Sequence, residues 1–324
     1  QGYRPSVPPG HRPPVPPPRP YGPAGPRSAP PRKRGGGGFG AVVVVVLLIV
    51  TSGLIRFAVR TGFDAASHTG EHGNYSYNPP PGKDSAGVPE TGANPLLADP
   101  GSPLNPARCP YTPWSTQVDA ARAFFDSAAA CLADAWKPVL EQAKLSFTPP
   151  KLVVTADTSG ITTPCSGSSS NFAAFYCGAD QTIYMPISQL QTDMFHDHWE
   201  IYLSVFAHEY GHHIQALSGI LGAANKQRRQ TGLYSDEGLD LSRRIELQAN
   251  CFDGMYFASS AGGKSLTPVQ AQSARKDAYG RGDSAGDMRS HGTAEHAGDW
   301  WSTGFDKNAT APCNTFIAPS GQVS

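Results

Sequence analysis

The chain has 324 residues, which is enough for two domains by length alone, and its 26 Lys and Arg residues balance its 26 Asp and Glu residues. Seven of the basic residues but no acidic residue lie within residues 1–38, so the neutral total combines a basic arm with an acidic body. The charge does not predict nucleic-acid binding, because the basic run adjoins an apolar segment and has no interleaved aromatic residues.

Residues 1–38 form the basic arm, and thirteen of them are proline. Almost nothing in the arm can contribute to a hydrophobic core, so we expect a disordered segment with polyproline character. Pro13 to Pro20 has the P-x-x-P spacing that SH3-like and WW-like domains bind. One interpretation of the arm is therefore a binding segment for a cytoplasmic protein partner. A solvated tail without a partner is the interpretation that this composition favours.

An apolar segment follows the arm and predicts one transmembrane helix over residues 39–59. Residues 39–55 carry no charge, and their number is at the short end of what crosses a bilayer. Basic residues are more numerous before the segment than after it, which places the N-terminus in the cytoplasm. A cleavable signal peptide is the alternative, but the arm is too long for one and no small-x-small cleavage site follows. The sequence therefore predicts a single-pass protein of the cell membrane whose remaining residues are extracytoplasmic.

Residues 60–100 are rich in Gly, Pro, Asn and Ser, and they predict a linker between the membrane and a domain over 101–324. Within that domain, the patterns before the central helix predict a helix over 115–145, a strand over 151–155, and a hairpin formed by 172–177 and 182–185. Further helices are predicted over 267–279 and 294–305. Helices and a small number of strands together predict an α+β fold.

All six cysteines lie in the predicted domain, and this even number predicts three disulfides in an oxidising compartment. A zinc site made of cysteines is the alternative, but the chain has no C-x-x-C pair. Proximity in the sequence favours the pairs Cys109–Cys131 and Cys165–Cys177, which leaves Cys251–Cys313 as the third.

The central helix is predicted over 201–217, where apolar residues recur at helical spacing around an H-E-x-x-H motif. His208 and His212 are four residues apart, so their imidazoles lie on one face of the helix and can share one Zn²⁺. Glu209 adjoins the first ligand and is placed to deprotonate a water molecule at the metal. A chance occurrence on a structural helix is the alternative, but a buried Glu between two His is unfavourable without a metal or partner.

A catalytic zinc needs a third protein ligand. The metzincin pattern is excluded, because Gln215 and Ser218 stand where it requires Gly and His. A second helix is predicted over 235–257, and Glu246 lies among apolar residues in its middle, so we expect a His₂Glu site. The alternative is a Glu246 that pairs with the adjacent arginines or with solvent. The other acidic residues of this helix that would substitute for Glu246 are Glu237, Asp240 and Asp253.

Three blocks of the sequence resemble the bacterial putative neutral zinc metallopeptidase family. They are Ala207-His-Glu-Tyr-Gly-His-His-Ile-Gln215, Arg244-Ile-Glu-Leu-Gln-Ala-Asn-Cys251, and His291-Gly-Thr-Ala-Glu295 with Trp300 and Gly304-Phe305. The order and spacing of the blocks match as well as their residues, and the resemblance covers about residues 101–320. It implies a zincin-like α+β domain with Zn²⁺ on His208, His212 and Glu246, and with Glu209 as the general base.

The resemblance also implies roles beyond the metal ligands. Asn250 stands where the family has Asp, a residue that in related zincins hydrogen-bonds a ligand histidine, and an Asn brings no charge to that bond. Related zincins add a His or Tyr donor for the oxyanion, for which His291 is the first choice and Tyr234 the second. Capping of the last helix is the alternative role of His291. The strand over 182–185 is the candidate for pairing with an extended substrate, with a plain core hairpin as the alternative.

These observations together predict a membrane-anchored, extracytoplasmic zinc metallopeptidase that hydrolyses peptide bonds in peptides or proteins of the cell envelope. The rival hypothesis is a catalytically weak or inactive zincin-like binding module, which the neutral Asn250 favours. The intact H-E-x-x-H motif argues for the enzyme, because a binding module has no need of Glu209.

Overall fold

The structure is a computed structural model that describes residues 91–165, 174–283 and 288–324. The described residues form a mixed α+β fold with seven α-helices and one three-stranded sheet, which confirms the predicted fold class at this level. The helices are α1 Val118–Gln142, α2 Thr192–Phe195, α3 Trp199–Leu217, α4 Ile220–Thr231, α5 Asp236–Gly262, α6 Pro268–Ala278 and α7 Ala294–Lys307. The strands are β1 Lys151–Thr155, β2 Phe175–Cys177 and β3 Thr182–Pro186.

Helix α1 forms because apolar and alanine side chains recur every three or four residues, which gives it one continuous buried face. That face packs against α3 through aromatic side chains. The ring centroids of Phe125 on α1 and Phe206 on α3 lie 5.1 Å apart, and Trp114, in the segment just before α1, adds a contact to Tyr202 with centroids 4.4 Å apart. These contacts hold α3, the helix of the H-E-x-x-H motif, in the centre of the core.

The sheet has the strand order β1–β3–β2. Strand β3 is central, parallel to β1 and antiparallel to β2, and all five of its residues are buried. The predicted hairpin is present as β2 and β3, and Gln181 in its turn adopts a left-handed backbone with φ 58°. Strand β2 is therefore an edge strand, and both β2 and β3 contact α3.

Helices α5 and α7 cross at very close range. A Cβ atom on Gly254 would lie 2.0 Å from the carbonyl oxygen of Trp301, and one on Gly304 would lie 1.9 Å from that of Cys251. Glycine is unfavourable in a helix interior by about 1 kcal/mol relative to alanine, so its presence at both positions reflects this contact. The buried Trp301 ring fills the space beside the crossing.

The three disulfides are those that proximity in the sequence predicted. They are Cys109–Cys131, Cys165–Cys177 and Cys251–Cys313. The first joins the segment before α1 to α1 itself, and the second joins β2 to the segment after β1. The third joins α5 to the C-terminal segment, across 62 positions of the chain.

Part of the predicted linker packs against the domain. Leu96 and Leu97 are buried, and the Asn94 side-chain amide donates a hydrogen bond of 2.9 Å to the carbonyl oxygen of Ser218. The same side chain accepts a hydrogen bond from the backbone N–H of Leu96 and caps a short 3₁₀ turn. The packed region therefore includes residues 94–97.

The predicted localisation in the cell membrane is corrected by the structure. In the part of the chain that the structure describes, no helix is both long enough and apolar enough to cross a bilayer. Helices α1 and α5 have 25 and 27 residues, but ionisable side chains recur along both of them. The basic arm and the apolar segment 39–59, on which the predicted topology rested, lie outside the described residues.

Candidate metal centre

His208 and His212 project from the same face of α3, and their Nε2 atoms lie 3.1 Å apart. The other ring nitrogen of each histidine is engaged by a side-chain amide oxygen. His208 Nδ1 lies 2.9 Å from Asn250 Oδ1, and His212 Nδ1 lies 2.8 Å from Gln215 Oε1. An amide oxygen only accepts, so each Nδ1 carries a hydrogen, and in the neutral form of each ring Nε2 has a lone pair for a ligand bond.

Glu246 completes the group from α5. Its Oε2 atom lies 3.3 Å from the Nε2 atoms of both histidines. The adjacent arginines do not pair with it, because both pair with Asp240: Arg244 Nε lies 2.6 Å and Arg243 Nη2 lies 3.4 Å from its carboxylate oxygens. The Arg-paired alternative for Glu246 is therefore wrong.

These three atoms fit a zinc ion. Four ligands at about 2.0–2.1 Å from Zn²⁺ define a tetrahedron whose edges are about 3.3–3.4 Å. The observed separations of 3.1, 3.3 and 3.3 Å are close to one face of that tetrahedron. Two imidazoles and one carboxylate are also a donor set that catalytic zinc sites use. No other cluster of His, Cys, Asp or Glu with ligand geometry occurs among the described residues.

The charges of the three side chains are strongly coupled. Burial lowers the pKa of His208 to about 4, against the opposing effect of Glu246. Burial also disfavours a charged His212, but the Glu246 carboxylate outweighs burial and raises the pKa of His212 to about 9. Burial alone raises the pKa of Glu246, yet the charge of His212 and hydrogen bonds from both histidines lower it well below its usual value. The cluster therefore holds one proton near neutral pH, and a metal ion has to displace it.

Gly211 explains how ligands from two helices meet. A Cβ atom at this position would lie 3.1 Å from the carbonyl oxygen and 3.2 Å from the Cα atom of Ala249 on α5. The glycine therefore lets the two helices approach closely, directly between the pair His208 and His212 on α3 and the residue Glu246 on α5.

Glu209 is buried and points toward the sheet. Its Oε2 atom accepts a hydrogen bond of 2.8 Å from the backbone N–H of Tyr176 in β2. Burial raises the pKa of Glu209 to about 8, although the charge of His212 and the Tyr176 N–H oppose this shift. The carboxylate is thus held beside the ligands in an environment that favours the proton acceptance expected of a general base.

A chain of amides fixes His212, and sequence reasoning missed it. The Gln215 side-chain N–H groups donate to the carbonyl oxygen of Ile245 at 2.8 Å and to Gln248 Oε1 at 3.0 Å. Gln248 in turn donates at 3.0 Å to the carbonyl oxygen of Cys313, which lies in the segment tied to α5 by a disulfide. Gln215 is three residues after His212, so helical spacing is the signal that identifies it.

His291 lies beside α5 and is held by Asp283. The Asp283 carboxylate accepts hydrogen bonds of 2.8 Å from the backbone N–H groups of His291 and Gly292, and its other oxygen lies 3.2 Å from His291 Nδ1. A Cβ atom on Gly292 would lie 3.1 Å from the side chain of Leu247, and the charge of His291 also lowers the pKa of Glu246. The sequence did not identify Asp283, because nothing local marks it as a partner of His291.

The structure also places the residues that the sequence offered as alternatives for helix capping, for oxyanion donation and for metal binding. Thr293 caps α7 through its hydroxyl, so the capping alternative for His291 is wrong. Tyr234 is 52% exposed in the segment between α4 and α5. Of the substitute ligands, Asp240 pairs with arginines, Glu237 is exposed, and Asp253 accepts hydrogen bonds from Ser204 and Trp301.

Strand β3, which was predicted over 182–185 to pair with an extended substrate, cannot form those backbone hydrogen bonds. Strand β3 has a hydrogen-bonded neighbour on both sides, so its backbone groups are already paired. The edge strand β2 is the one that lies against Glu209. The prediction for 182–185 is therefore wrong, because sheet order depends on contacts between distant segments.

Comparison with known proteins identifies one matching family and several relatives. The model of a family described as putative neutral zinc metallopeptidase matches residues 111–316. "Uncharacterized protein YpfJ" of Escherichia coli strain K12 is 32% identical over 222 residues, which is 62% of this chain and 74% of that protein. "Uncharacterized protein Rv2575" of Mycobacterium tuberculosis is 31% identical over 208 residues, 56% of this chain and 66% of that protein. No solved structure matches the chain.

Proposed function

The chain belongs to the putative neutral zinc metallopeptidase family, and from this premise we propose that it is a zinc-dependent peptidase that hydrolyses peptide bonds. The observation that carries the proposal is the triangle of ligand atoms on His208, His212 and Glu246, whose sides match a zinc tetrahedron. Bound Zn²⁺ lowers the pKa of a coordinated water toward about 7 and polarises a carbonyl oxygen. The helix that carries H-E-x-x-H, the downstream Glu and the small sheet support a zincin-like arrangement.

Glu209 is the proposed general base. Its carboxylate takes a proton from the attacking water and then delivers it to the leaving amine. One carboxylate oxygen is held by the Tyr176 N–H, which leaves the other for the proton. Burial favours uptake of the proton, because it raises the pKa of Glu209 to about 8.

His291 is the proposed donor to the oxyanion that forms on the attacked carbonyl. The Asp283 carboxylate stabilises a hydrogen on His291 Nδ1 and a positive charge on the ring. On the doubly protonated ring, Nε2 is then a charged hydrogen-bond donor. Its position beside α5, next to Glu246, supports this role over that of Tyr234, which is largely exposed.

The three disulfides favour an oxidising compartment, because disulfides rarely persist in the cytoplasm. We therefore expect the substrates to be extracytoplasmic peptides or proteins.

The second candidate is a zinc-binding module without turnover. Both ligand histidines are oriented by neutral amides, and loss of an outer partner typically lowers metal affinity or activity about 10–100-fold. This observation alone favours the module. The buried and strand-bound Glu209 favours the enzyme, because a metal site without chemistry does not need a base there.

One experiment separates the two candidates. The purified full chain is analysed for zinc and assayed on a peptide library before chelation, after chelation, and after zinc is restored. A peptidase cleaves peptides only in the zinc-loaded states, and one Zn²⁺ is bound per chain. Bound zinc without cleavage of any peptide would identify the binding module instead.

A further inference from the structure

Tyr176 of the edge strand β2 makes two contacts with α3, the helix that carries the H-E-x-x-H motif. The backbone N–H of Tyr176 donates to Glu209 Oε2 at 2.8 Å, and its hydroxyl lies 3.1 Å from His213 Nδ1. Glu209 and His213 are four residues apart, so they lie on one face of α3, about one helical turn or ~6 Å from each other along the axis. Tyr176 therefore spans one turn of the helix, with its backbone N–H bound at one end and its side-chain hydroxyl at the other.

The sheet fixes the direction of the first of these bonds. Tyr176 stands opposite Ile183, while Phe175 and Cys177 stand opposite Tyr184 and Thr182. In an antiparallel pair, backbone groups point toward and away from the neighbouring strand at alternate residues. Because the Tyr176 N–H binds Glu209, it points away from β3, and the residues on either side hold the strand in register.

His213 fixes the second bond. The side chain is fully buried, and its Nε2 atom lies 2.7 Å from the carbonyl oxygen of Thr148. A carbonyl only accepts, so Nε2 carries the hydrogen and Nδ1 accepts from the Tyr176 hydroxyl. Both ring nitrogens of His213 are therefore used, and this histidine is not available as a metal ligand although it follows His212 directly.

We propose that Tyr176 and His213 are positioning residues for Glu209, a proposal that rests on the peptidase function above. His213 holds the Tyr176 side chain along α3, and the Tyr176 N–H holds one oxygen of the Glu209 carboxylate. The stretch from His208 to His213 thus contains two pairs at helical spacing. The first, His208 and His212, faces the metal, and the second, Glu209 and His213, faces the strand.

The physical effect is preorganisation. A glutamate side chain has several rotatable bonds, and fixing it before the reaction removes that entropic term from the barrier. A misplacement of about 1 Å in a catalytic group can lower the rate about 100-fold. Loss of the hydroxyl bond leaves the N–H in place but frees the strand to shift, so we expect a smaller decrease, on the order of tenfold.

The first test compares kcat and KM of zinc-loaded full-length variants. Tyr176→Phe removes only the hydroxyl, and we expect kcat to fall on the order of tenfold with KM and zinc content unchanged. His213→Leu should lower kcat in the same way, whereas His213→Asn keeps an oxygen near the Nδ1 position and should restore most of it. Tyr184→Phe is the matched control, because it removes a hydroxyl of the same sheet that binds Asp180 rather than α3. An unchanged kcat in Tyr176→Phe would overturn the proposal.

A second measurement does not depend on activity. Hydrogen exchange of the Tyr176 backbone amide should be slow in the wild-type chain, fast in Glu209→Ala, and faster than wild type in Tyr176→Phe. The control Tyr184→Phe should leave it slow. If a zinc-loaded chain cleaves no peptide, the peptidase proposal fails while exchange still decides the positioning role. Equal protection of this amide in the wild type, Tyr176→Phe and Glu209→Ala would contradict that role, including in a preparation where His213→Leu does not fold.

Discussion

His208 and His212 are each oriented by a neutral amide oxygen, one from Asn250 and one from Gln215. An amide fixes the orientation of an imidazole as a carboxylate does, but it adds no negative charge and raises ligand basicity less. The negative charge beside the two imidazoles therefore comes from Glu246, whose pKa is lowered well below its usual value. This arrangement makes the proton on His212 the main competitor of a metal ion.

The first prediction for a single residue concerns His212 and the pH dependence of zinc binding. The pKa of His212 is raised to about 9, so between pH 6 and 8 each bound zinc displaces one proton. The apparent Kd should then fall about tenfold for each unit of rising pH, and the dependence should flatten above about pH 9. His208 does not add to this slope, because its pKa is lowered to about 4. Competition with a chromogenic chelator measures the slope, and a Kd that is constant from pH 6 to 8 would contradict the charge assignment.

A second prediction for a single residue concerns the effect of His291 on kcat. Replacement by alanine removes the proposed oxyanion donor, so kcat should fall by about 10²–10³ while zinc content stays the same. His296→Ala is the matched control, because His296 bonds the carbonyl oxygen of Ser324 at the start of α7 and should keep wild-type kcat. Steady-state kinetics on one cleaved peptide measures both variants. Equal kcat in His291→Ala and the wild type would remove His291 from the mechanism.

At the scale of the elements, the crossing of α5 and α7 holds the Glu246 helix in place. Gly254→Ala would place a methyl group 2.0 Å from the Trp301 carbonyl oxygen, and a backbone atom cannot move aside as a side chain can. Overpacking of this kind outweighs the better helix propensity of alanine, so we expect the free energy of unfolding to fall by about 2 kcal/mol or more.

Thermal and urea denaturation measure this loss. Gly321→Ala is the control, because nothing lies within 4 Å of the added methyl group, and its stability should match the wild type. A Gly254→Ala variant as stable as the control would show that the two helices separate more easily than their contact implies.

The elements differ in how well the sequence predicts them. Helices α3 and α5 follow from local periodicity, and the Ser235 hydroxyl caps α5 by accepting a hydrogen bond from the Gly238 N–H. The position of each strand was predicted, but not that β2 is the edge and β3 the centre of the sheet. Sheet order is decided by contacts between segments far apart in the chain, and alternation of side chains within one strand carries no information about it.

The site residues also differ in whether a local pattern or a contact between distant segments identifies them. H-E-x-x-H is a local pattern, so His208, His212 and Glu209 could be identified from spacing alone. Asp283 and Tyr176 could not, because each acts through a contact with a residue of another element. The motif therefore predicts which side chains carry out the chemistry, and only the fold shows which side chains hold them.

At the scale of the whole molecule, disulfides and ligands are arranged around the same helix. Cys251 lies five residues after Glu246 on α5 and binds Cys313, whose carbonyl oxygen ends the amide chain from His212. Closing a loop of this length removes about 4 kcal/mol of chain entropy from the unfolded state. The C-terminal segment therefore stabilises the helix that carries Glu246.

The proposed function of the whole molecule depends on Glu209 as the general base of a zinc peptidase. The most direct test is the rate of peptide hydrolysis by full-length Glu209→Gln and wild type at equal zinc content. Glutamine is nearly isosteric and still accepts the Tyr176 N–H, but it cannot take a proton from water. We expect a rate lower by about 10²–10⁴ in the variant. A zinc-loaded Glu209→Gln chain that hydrolyses peptides at the wild-type rate would contradict it.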